Sequence, residues 1–141
     1  MSETRIDLEA EQLLRDLSDG LTTPAHAECL ICFVHRMLDD FGCDNTLRFA
    51  VRYRDAAAPR ATGLERRLGQ VGGYCDCEIF LNGMRLHQRF WSEEREVERD
   101  GCADLIESEP PEQLPPCAGV RRGSTRQCAN WLRRRRGGWW G

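Results

Sequence analysis

The chain has 141 residues with a formal charge of −3; 40% of the residues are hydrophobic and 30% are charged. This length suits one compact domain with extensions and is too short for two full-sized domains. No apolar run approaches the ~18 residues that a membrane span needs, and the acidic start of the sequence lacks the pattern of a secretory signal. We therefore expect a cytoplasmic protein without membrane contact.

Formal charge alternates along the chain and divides it into blocks. Residues 1–28 carry −5, residues 29–91 carry +2, residues 92–116 carry −7 and residues 117–141 carry +7. Such alternation is unlike a uniformly mixed surface. The segments predicted from charge and composition are an acidic N-terminal helix at 1–22, a cysteine-rich core domain at 23–91, an acidic, proline-containing linker at 92–116 and an Arg- and Trp-rich tail at 117–141.

Hydrophobic spacing predicts four helices in the first half of the chain. The first helix has Leu13, Leu14 and Leu17 on one side. The second has an apolar stripe at i, i+3 and i+4 spacing over Leu30–Phe41. Asp44 or the residue after it is predicted to cap the third helix. The helices are expected at residues 7–19, 24–41, 46–55 and 64–71.

A β-hairpin is predicted to follow these helices. Residues 74–81 alternate between apolar and polar, and Asn82-Gly83 is typical of a hairpin turn, so residues 84–91 are expected to return as the second strand. These elements predict an α+β fold, a small helical domain with a short β-hairpin stapled by a zinc site. In the tail, a capping-box pattern at 124–127 predicts a short amphipathic helix that contains Trp131.

Several of the eight cysteines are spaced in a way that predicts a metal site. Cys29 and Cys32 lie opposite the apolar stripe of the second helix, where thiolates at i and i+3 can bind one ion. Cys75 and Cys77 share one face of the predicted strand. Four thiolates are the set that a structural zinc ion prefers. The predicted zinc ligands are Cys29, Cys32, Cys75 and Cys77, with Cys43 as the substitute for one of them and His35 as the ligand of a mixed site.

Other uses of the cysteines remain open. Clustered thiols also perform redox chemistry or simply pack in crevices. Redox chemistry is disfavoured because the Cys29-x-x-Cys32 pair does not follow a strand in a βαβ unit. An iron–sulfur cluster is disfavoured because no ferredoxin-type spacing is present. The cysteines that we treat as incidental, because their spacing is irregular, are Cys102, Cys117 and Cys128.

No catalytic constellation is visible in the sequence. It lacks a phosphate-binding glycine loop, a serine nucleophile elbow and an H-E-x-x-H zinc pair. Asp76 and Glu78 are expected on the strand face opposite the metal, either solvated or paired with an arginine such as Arg48. We therefore predict that the protein is not an enzyme and identify no small-molecule substrate.

Two strings resemble a known family. They are C-D-N-T-L-R at 43–48 and G-G-Y-C-D-C-E-I at 72–79. Together they resemble a family of small bacterial proteins known only as a domain of unknown function, in which a C-D-x-T-L-R segment precedes a G-G-Y-C-D-C-E segment. The resemblance covers about residues 28–83 and implies that Cys43 belongs with Cys75 and Cys77. It implies no activity.

The basic tail suggests a binding partner. We expect a zinc-stabilised interaction module that binds a protein partner. One alternative is a zinc-dependent, RNA- or ribosome-associated regulatory factor, because Arg contacts phosphates while Trp stacks on unpaired bases. Others are a tail that folds back onto the acidic block of its own chain and a thiol oxidoreductase. The residues predicted to contact the partner are Trp131, Arg133, Arg134, Arg135, Arg136, Trp139 and Trp140.

Overall fold

The computed structural model describes residues 2–135, and their elements form an α+β fold. The described helices are α1 Ser2–Leu21, α2 Leu30–Phe41, α3 Arg48–Ala57, α4 Leu64–Gln70 and α5 Asp76–Glu78, which continues as a π-helical turn Ile79–Gly83. The strands are β1 Met84–Leu86, β2 Arg95–Arg99, β3 Cys102–Ile106 and β4 Trp131–Arg133. The predicted α+β class is therefore confirmed. None of the described helices has the length and apolar character to cross a membrane.

Helix α2 lies at the centre of the core. Its residues Leu30, Phe33 and Met37 are almost completely buried, and α3 packs beside it through Phe49 and Tyr53. Burial of this kind is the main favourable term in folding. The core therefore forms around one short, apolar helix.

Helix α2 begins six residues later than predicted, because Cys29 is its N-cap. Cys29 has extended backbone (φ −76°, ψ 160°), and its Sγ accepts a hydrogen bond from the Cys32 N–H at 3.2 Å. An N-cap that satisfies a free N–H group fixes the start of a helix. The two cysteines are thus not two positions on the outer face of a longer helix, and both are buried. The predicted end at Phe41 is confirmed, with Gly42 in the left-handed region at φ 74°.

The Asp76 carboxylate caps helix α3 from a distant part of the chain. It is fully buried and accepts hydrogen bonds from the N–H groups of Phe49 (3.0 Å) and Ala50 (3.1 Å). The Asp76 N–H in turn donates to the Thr46 carbonyl at 3.0 Å. Burial raises the pKa of Asp76, and the two N–H donors oppose that rise. The expectation of a solvated or arginine-paired Asp76 was wrong, since Arg48 pairs with Asp44 instead.

The predicted hairpin at 74–91 was also wrong in its first strand. Residues 76–83 are helical, because Asp76 must point inward to cap α3 while the chain turns tightly behind Gly73. A Cβ on Gly73 would lie 3.2 Å from the Leu68 carbonyl oxygen, so the backbones approach closely there. Strand β1 does form, but it pairs with β4 and not with residues 74–81.

The acidic segment contains a hairpin of its own. Strands β2 and β3 pair antiparallel around Asp100 (φ 50°) and Gly101 (φ 80°), an Asp-Gly turn of the kind that favours hairpins. Hydrogen bonds between Ser92 and Glu109 close its base. The Asp100-Gly101 pair was a hairpin signal in the sequence that the acidic composition of the segment masked.

The described part of the tail forms turns and the strand β4, and not the predicted amphipathic helix. In β4, Leu86 pairs with Trp131 and Met84 with Arg133 across an antiparallel register. The Trp131 side chain enters the core with 5% of its surface exposed, and burying an aromatic ring there outweighs the local helix signal. The predicted domain boundaries stay predictions, although residues 131–133 pair directly with the cysteine-rich segment.

We predict that Asp76→Ala lowers the free energy of unfolding by about 1–3 kcal/mol, because the buried Phe49 and Ala50 N–H groups lose their acceptor. Asp76→Asn should cost less, since one side-chain oxygen remains. Urea denaturation followed by circular dichroism measures both effects, with Asp104→Ala on the exposed hairpin as the matched control. Equal midpoints for the Asp76→Ala and Asp104→Ala variants would contradict the cap.

Candidate metal centres

Four cysteine sulfurs meet at the start of helix α2. The Sγ atoms of Cys29, Cys32, Cys117 and Cys128 all lie within 4.8 Å of one another, and we call this set the four-cysteine cluster. The Cys32 and Cys128 sulfurs are 3.8 Å apart. A tetrahedral zinc ion with Zn–S bonds of about 2.3 Å separates its sulfurs by about 3.8 Å. The cluster therefore has the ligand number and the size that a tetrahedral metal ion requires.

Two distant parts of the chain supply these ligands. Cys29 and Cys32 come from the first turn of α2, Cys117 from the loop after the hairpin, and Cys128 from the turn before β4. The loop that contains Cys117 is joined to the segment before α2 by the Val120 N–H, which donates to the Ala27 carbonyl at 3.0 Å. The cluster consequently connects the start of the core to the tail.

Backbone and indole N–H groups surround the sulfurs of the four-cysteine cluster. The Cys117 Sγ accepts from the N–H groups of Cys29 (3.2 Å) and Gly119 (3.4 Å). The Cys32 Sγ accepts from the Trp131 indole N–H at 3.2 Å. Such donors stabilise sulfur in its thiolate form. The surroundings therefore favour the state that binds metal.

The pKa values of the Cys29 and Cys32 thiols shift in opposite directions. The hydrogen bond from the Cys32 thiol lowers the pKa of Cys29 to about 5, against the effect of burial. The same hydrogen bond, together with burial, raises the pKa of Cys32. Two adjacent buried thiolates repel each other, so the two cysteines resist ionising together. A cation removes that repulsion.

Three further sulfurs meet beyond the other end of α2. Cys43, Cys75 and Cys77 have Sγ atoms within 4.8 Å of one another, and we call them the three-cysteine cluster. The Cys75 and Cys77 sulfurs are 3.3 Å apart. Cys75 is buried, whereas Cys43 and Cys77 are partly exposed. A tetrahedral metal ion bound by these three sulfurs would have a fourth coordination position without a cysteine ligand.

The thiols of Cys43 and Cys75 differ in pKa. Burial raises the pKa of Cys75 to about 12. Burial also acts on Cys43, but hydrogen bonds from the backbone N–H groups of Cys77 and Asn45 outweigh it and lower the pKa of Cys43. The Asn45 nitrogen is 3.4 Å from the Cys43 sulfur. Cys43 therefore ionises more readily than Cys75.

The structure divides the predicted zinc ligands between the two clusters. Cys29 and Cys32 do not meet Cys75 and Cys77, because residues 74–81 form no strand that could bring the pairs together. Cys43 does lie with Cys75 and Cys77, as the family resemblance implied. His35 belongs to neither set. Its ring packs against Phe80 and Trp131, with centroids 5.3 and 5.8 Å away.

Sequence reasoning missed Cys117 and Cys128. Their spacing of eleven residues matches no compact motif, and each joins the cluster only because the tail returns to α2. A weak signal was present in Cys117-x-Gly119, since a glycine two residues after a ligand allows the turn that aims its N–H at the sulfur. Cys102 stays outside both clusters and is exposed on the hairpin.

The predicted partner-binding residues have different environments. Trp131 is buried, its ring fills the core and its indole N–H faces Cys32, and its contact with a partner stays a prediction. The described arginines Arg133, Arg134 and Arg135 are exposed. The remaining residues of this prediction, Arg136, Trp139 and Trp140, lie outside the described residues.

The central part of the chain matches a known family model. Residues 30–82 match the family described as "Protein of unknown function (DUF2695)". The expected resemblance to an uncharacterised family is confirmed. The DUF2695 match contains the whole three-cysteine cluster, but of the four-cysteine cluster it contains only Cys32.

Uncharacterised proteins of Mycobacterium tuberculosis and Mycobacterium bovis resemble a stretch of the chain of similar length. Each is 38% identical over 55 residues, which is 39% of this chain and 56% of the relative. The chain thus spans about half the length of the curated relatives it matches. No solved structure matches the chain. The comparisons therefore indicate a relationship without indicating an activity.

We predict that the Cys117→Ser, Cys128→Ser variant lowers the metal content of the protein by about one ion per chain, because the two thiolates that remain hold zinc much less tightly than four. Metal content is measured by atomic emission after chelator-free purification. Cys102→Ser is the control, since this cysteine is exposed and outside both clusters. Equal metal content in the two variants would show that the four-cysteine cluster holds no ion.

Proposed function

We propose that the protein is a zinc-stabilised, non-enzymatic interaction module that binds a protein partner. The observation that supports it most directly is the four-cysteine cluster. Four thiols within 4.8 Å of one another, ringed by N–H donors, are the ligand set of a structural zinc site. Soft thiolates favour zinc over magnesium or calcium.

Zinc in this cluster would cross-link the core and the tail. Cys29 and Cys32 lie at the start of the central helix, and Cys117 and Cys128 lie on the segment that leads to β4. The free energy of metal binding then contributes directly to folding. In this proposal zinc has no substrate to activate, and its effect is to hold the tail against the core.

The surface that we propose for the partner is helix α1. Six large apolar side chains on it are 57–65% exposed: Ile6, Leu8, Leu13, Leu14, Leu17 and Leu21. Among them, Leu13 and Leu17 are neighbours on one side of the helix at i, i+4 spacing. Contiguous apolar surface of this kind is typical of a protein contact. We call the side with Leu13, Leu14 and Leu17 the leucine face.

The partner that fits this face is an amphipathic helix with basic flanks. Acidic residues outnumber arginines on α1, where Asp7, Glu9, Glu11 and Asp16 lie on the same helix as the leucines and Arg15 is the basic residue among them. A basic helix would bury its apolar side on the leucines and pair its cations with these carboxylates. A second copy of α1 would bring like charges together, which disfavours self-association.

We predict that a synthetic leucine–lysine amphipathic helix binds the protein, whereas a leucine–glutamate helix with the same apolar side does not. The double variant Leu13→Glu, Leu17→Glu should bind the basic peptide at least about tenfold more weakly, because its apolar contact is lost. Isothermal titration calorimetry measures both peptides.

This variant separates apolar from electrostatic binding. The added glutamates make α1 more acidic, so attraction by charge alone would strengthen binding of the basic peptide. Leu105→Glu on the exposed hairpin is the matched control, since it adds an acid at an exposed leucine elsewhere. Unchanged or tighter binding by the α1 double variant would sink the proposed surface.

A second candidate function, RNA binding, is favoured by the exposed arginines of the tail. The described exposed arginines of this segment are Arg121, Arg122, Arg126, Arg133, Arg134 and Arg135. Arginine contacts phosphates and stacks on bases. Burial of Trp131 removes one predicted stacking residue from this function, so the arginines supply most of its support.

For RNA binding, we predict that affinity for fluorescein-labelled oligouridine falls steeply as salt rises. Replacing Arg133 and Arg135 with Gln should reduce the slope of log affinity against log salt by about 1.4, since each phosphate contact contributes about 0.7 on a single strand. Fluorescence anisotropy measures this slope. Replacement of Arg99, exposed on the hairpin, is the control. No measurable binding at low salt would exclude this function.

A further inference from the structure

The three-cysteine cluster suggests that the protein has a second metal site besides the four-cysteine cluster. We infer that Cys43, Cys75 and Cys77 form a second zinc site, with an open fourth position, which exchanges its ion faster than the four-cysteine cluster. This goes beyond the proposed function, which needs only the first zinc ion. The argument rests on ligand number, local rigidity and exposure.

Ligand number indicates an open coordination position. Within residues 2–135, no other Cys, His, Asp or Glu ligand atom joins these three sulfurs at mutual distances below 4.8 Å. Zinc in proteins is almost always four-coordinate, and sites with three protein ligands keep the fourth place for water or an exogenous ligand. Glu78 borders the cluster, with its Oε1 3.4 Å from the Cys75 sulfur, but it does not complete the set.

The backbone around the cluster is held in place before any metal binds. Gly42 and Asn45 both adopt positive φ, at 74° and 68°, which turns the loop so that Cys43 faces α5. On the other side, the buried Asp76 sits between the two remaining ligands and fixes α5 against α3. Because both segments are fixed by contacts outside the cluster, the three sulfurs converge without the metal. That is the arrangement of a built site and not of a chance proximity.

Hydrogen bonds also prepare the sulfurs for a cation. The Asn45 N–H donates to the Cys43 sulfur at 3.4 Å. Donors of this kind stabilise ligating thiolates and orient them. Three thiolates match the soft-ligand preference of zinc and exclude the hard cations.

Exposure distinguishes this cluster from the first. Cys43 and Cys77 are partly exposed, whereas three ligands of the four-cysteine cluster are buried. An incoming ligand can therefore reach the open position and displace the ion through a bridged intermediate. At the four-cysteine cluster an incoming ligand meets a closed coordination shell instead. Faster exchange follows from this difference in access.

The test uses the full chain loaded with Co²⁺ or Zn²⁺ without reductant and under anaerobic conditions. The Cys102→Ser protein, which retains both clusters, should bind about two ions, and the Cys43→Ser, Cys77→Ser variant should bind about one. With a chromogenic chelator, zinc release from Cys102→Ser should show a fast and a slow phase. The Cys43→Ser, Cys77→Ser variant should lose only the fast phase, and the Cys117→Ser, Cys128→Ser variant only the slow one.

The open position has its own readout in the Co²⁺ protein. Excess imidazole should shift the visible d–d bands of the Co²⁺ ion in the three-cysteine cluster and leave the bands of the four-cysteine cluster unchanged. The single variant Cys77→His should keep the second ion if the double variant fails to fold. One ion per chain in Cys102→Ser, removed only by changes at Cys117 and Cys128, would overturn the inference. Bands that do not respond to imidazole would overturn the open position.

Discussion

The Asp76 carboxylate is the constraint on which the arrangement of residues 30–82 depends. It is buried and accepts two N–H groups at the start of α3. A buried carboxylate is costly unless it is hydrogen-bonded, so its neighbours must stay where these donors are. Because Cys75 and Cys77 flank Asp76 in the sequence, the same constraint aims both thiols towards Cys43. One capping interaction therefore explains a helix start and a ligand set.

Helix α2 links the two clusters. Cys29 caps its first turn, Cys32 lies within that turn, and Cys43 follows two residues after its last residue, Phe41. Twelve helical residues span about 18 Å, so the clusters are separate centres joined by a buried, apolar helix. The core and both clusters depend on the same element, and for this reason disruption of α2 would affect all three.

Much of the local structure was predictable from the sequence, whereas the long-range contacts were not. The end of α2 and the helix at 64–71 followed from glycine and leucine spacing, which are local signals. Asp76 was predicted to lie on a strand because polar and apolar residues alternate around it in the sequence. The N–H groups that it caps are 26 and 27 residues away, so no local pattern indicates them. Of the four-cysteine cluster, only Cys29 and Cys32 were predicted as ligands. Cys117 and Cys128 were missed because they join the cluster only through the return of the tail, which is a long-range contact. Cys43 was correctly grouped only through the family resemblance.

The two clusters also differ in when a growing chain can complete them. The last ligand of the three-cysteine cluster is residue 77, whereas the four-cysteine cluster waits for residue 128. Chains fold largely as they are synthesised, N-terminal parts first. During translation Cys29 and Cys32 are therefore available while their partners do not yet exist, and the first complete thiol set that an arriving ion meets is the three-cysteine one. For the two zinc sites proposed above, the order of synthesis therefore favours filling of the three-cysteine cluster before the four-cysteine cluster is complete.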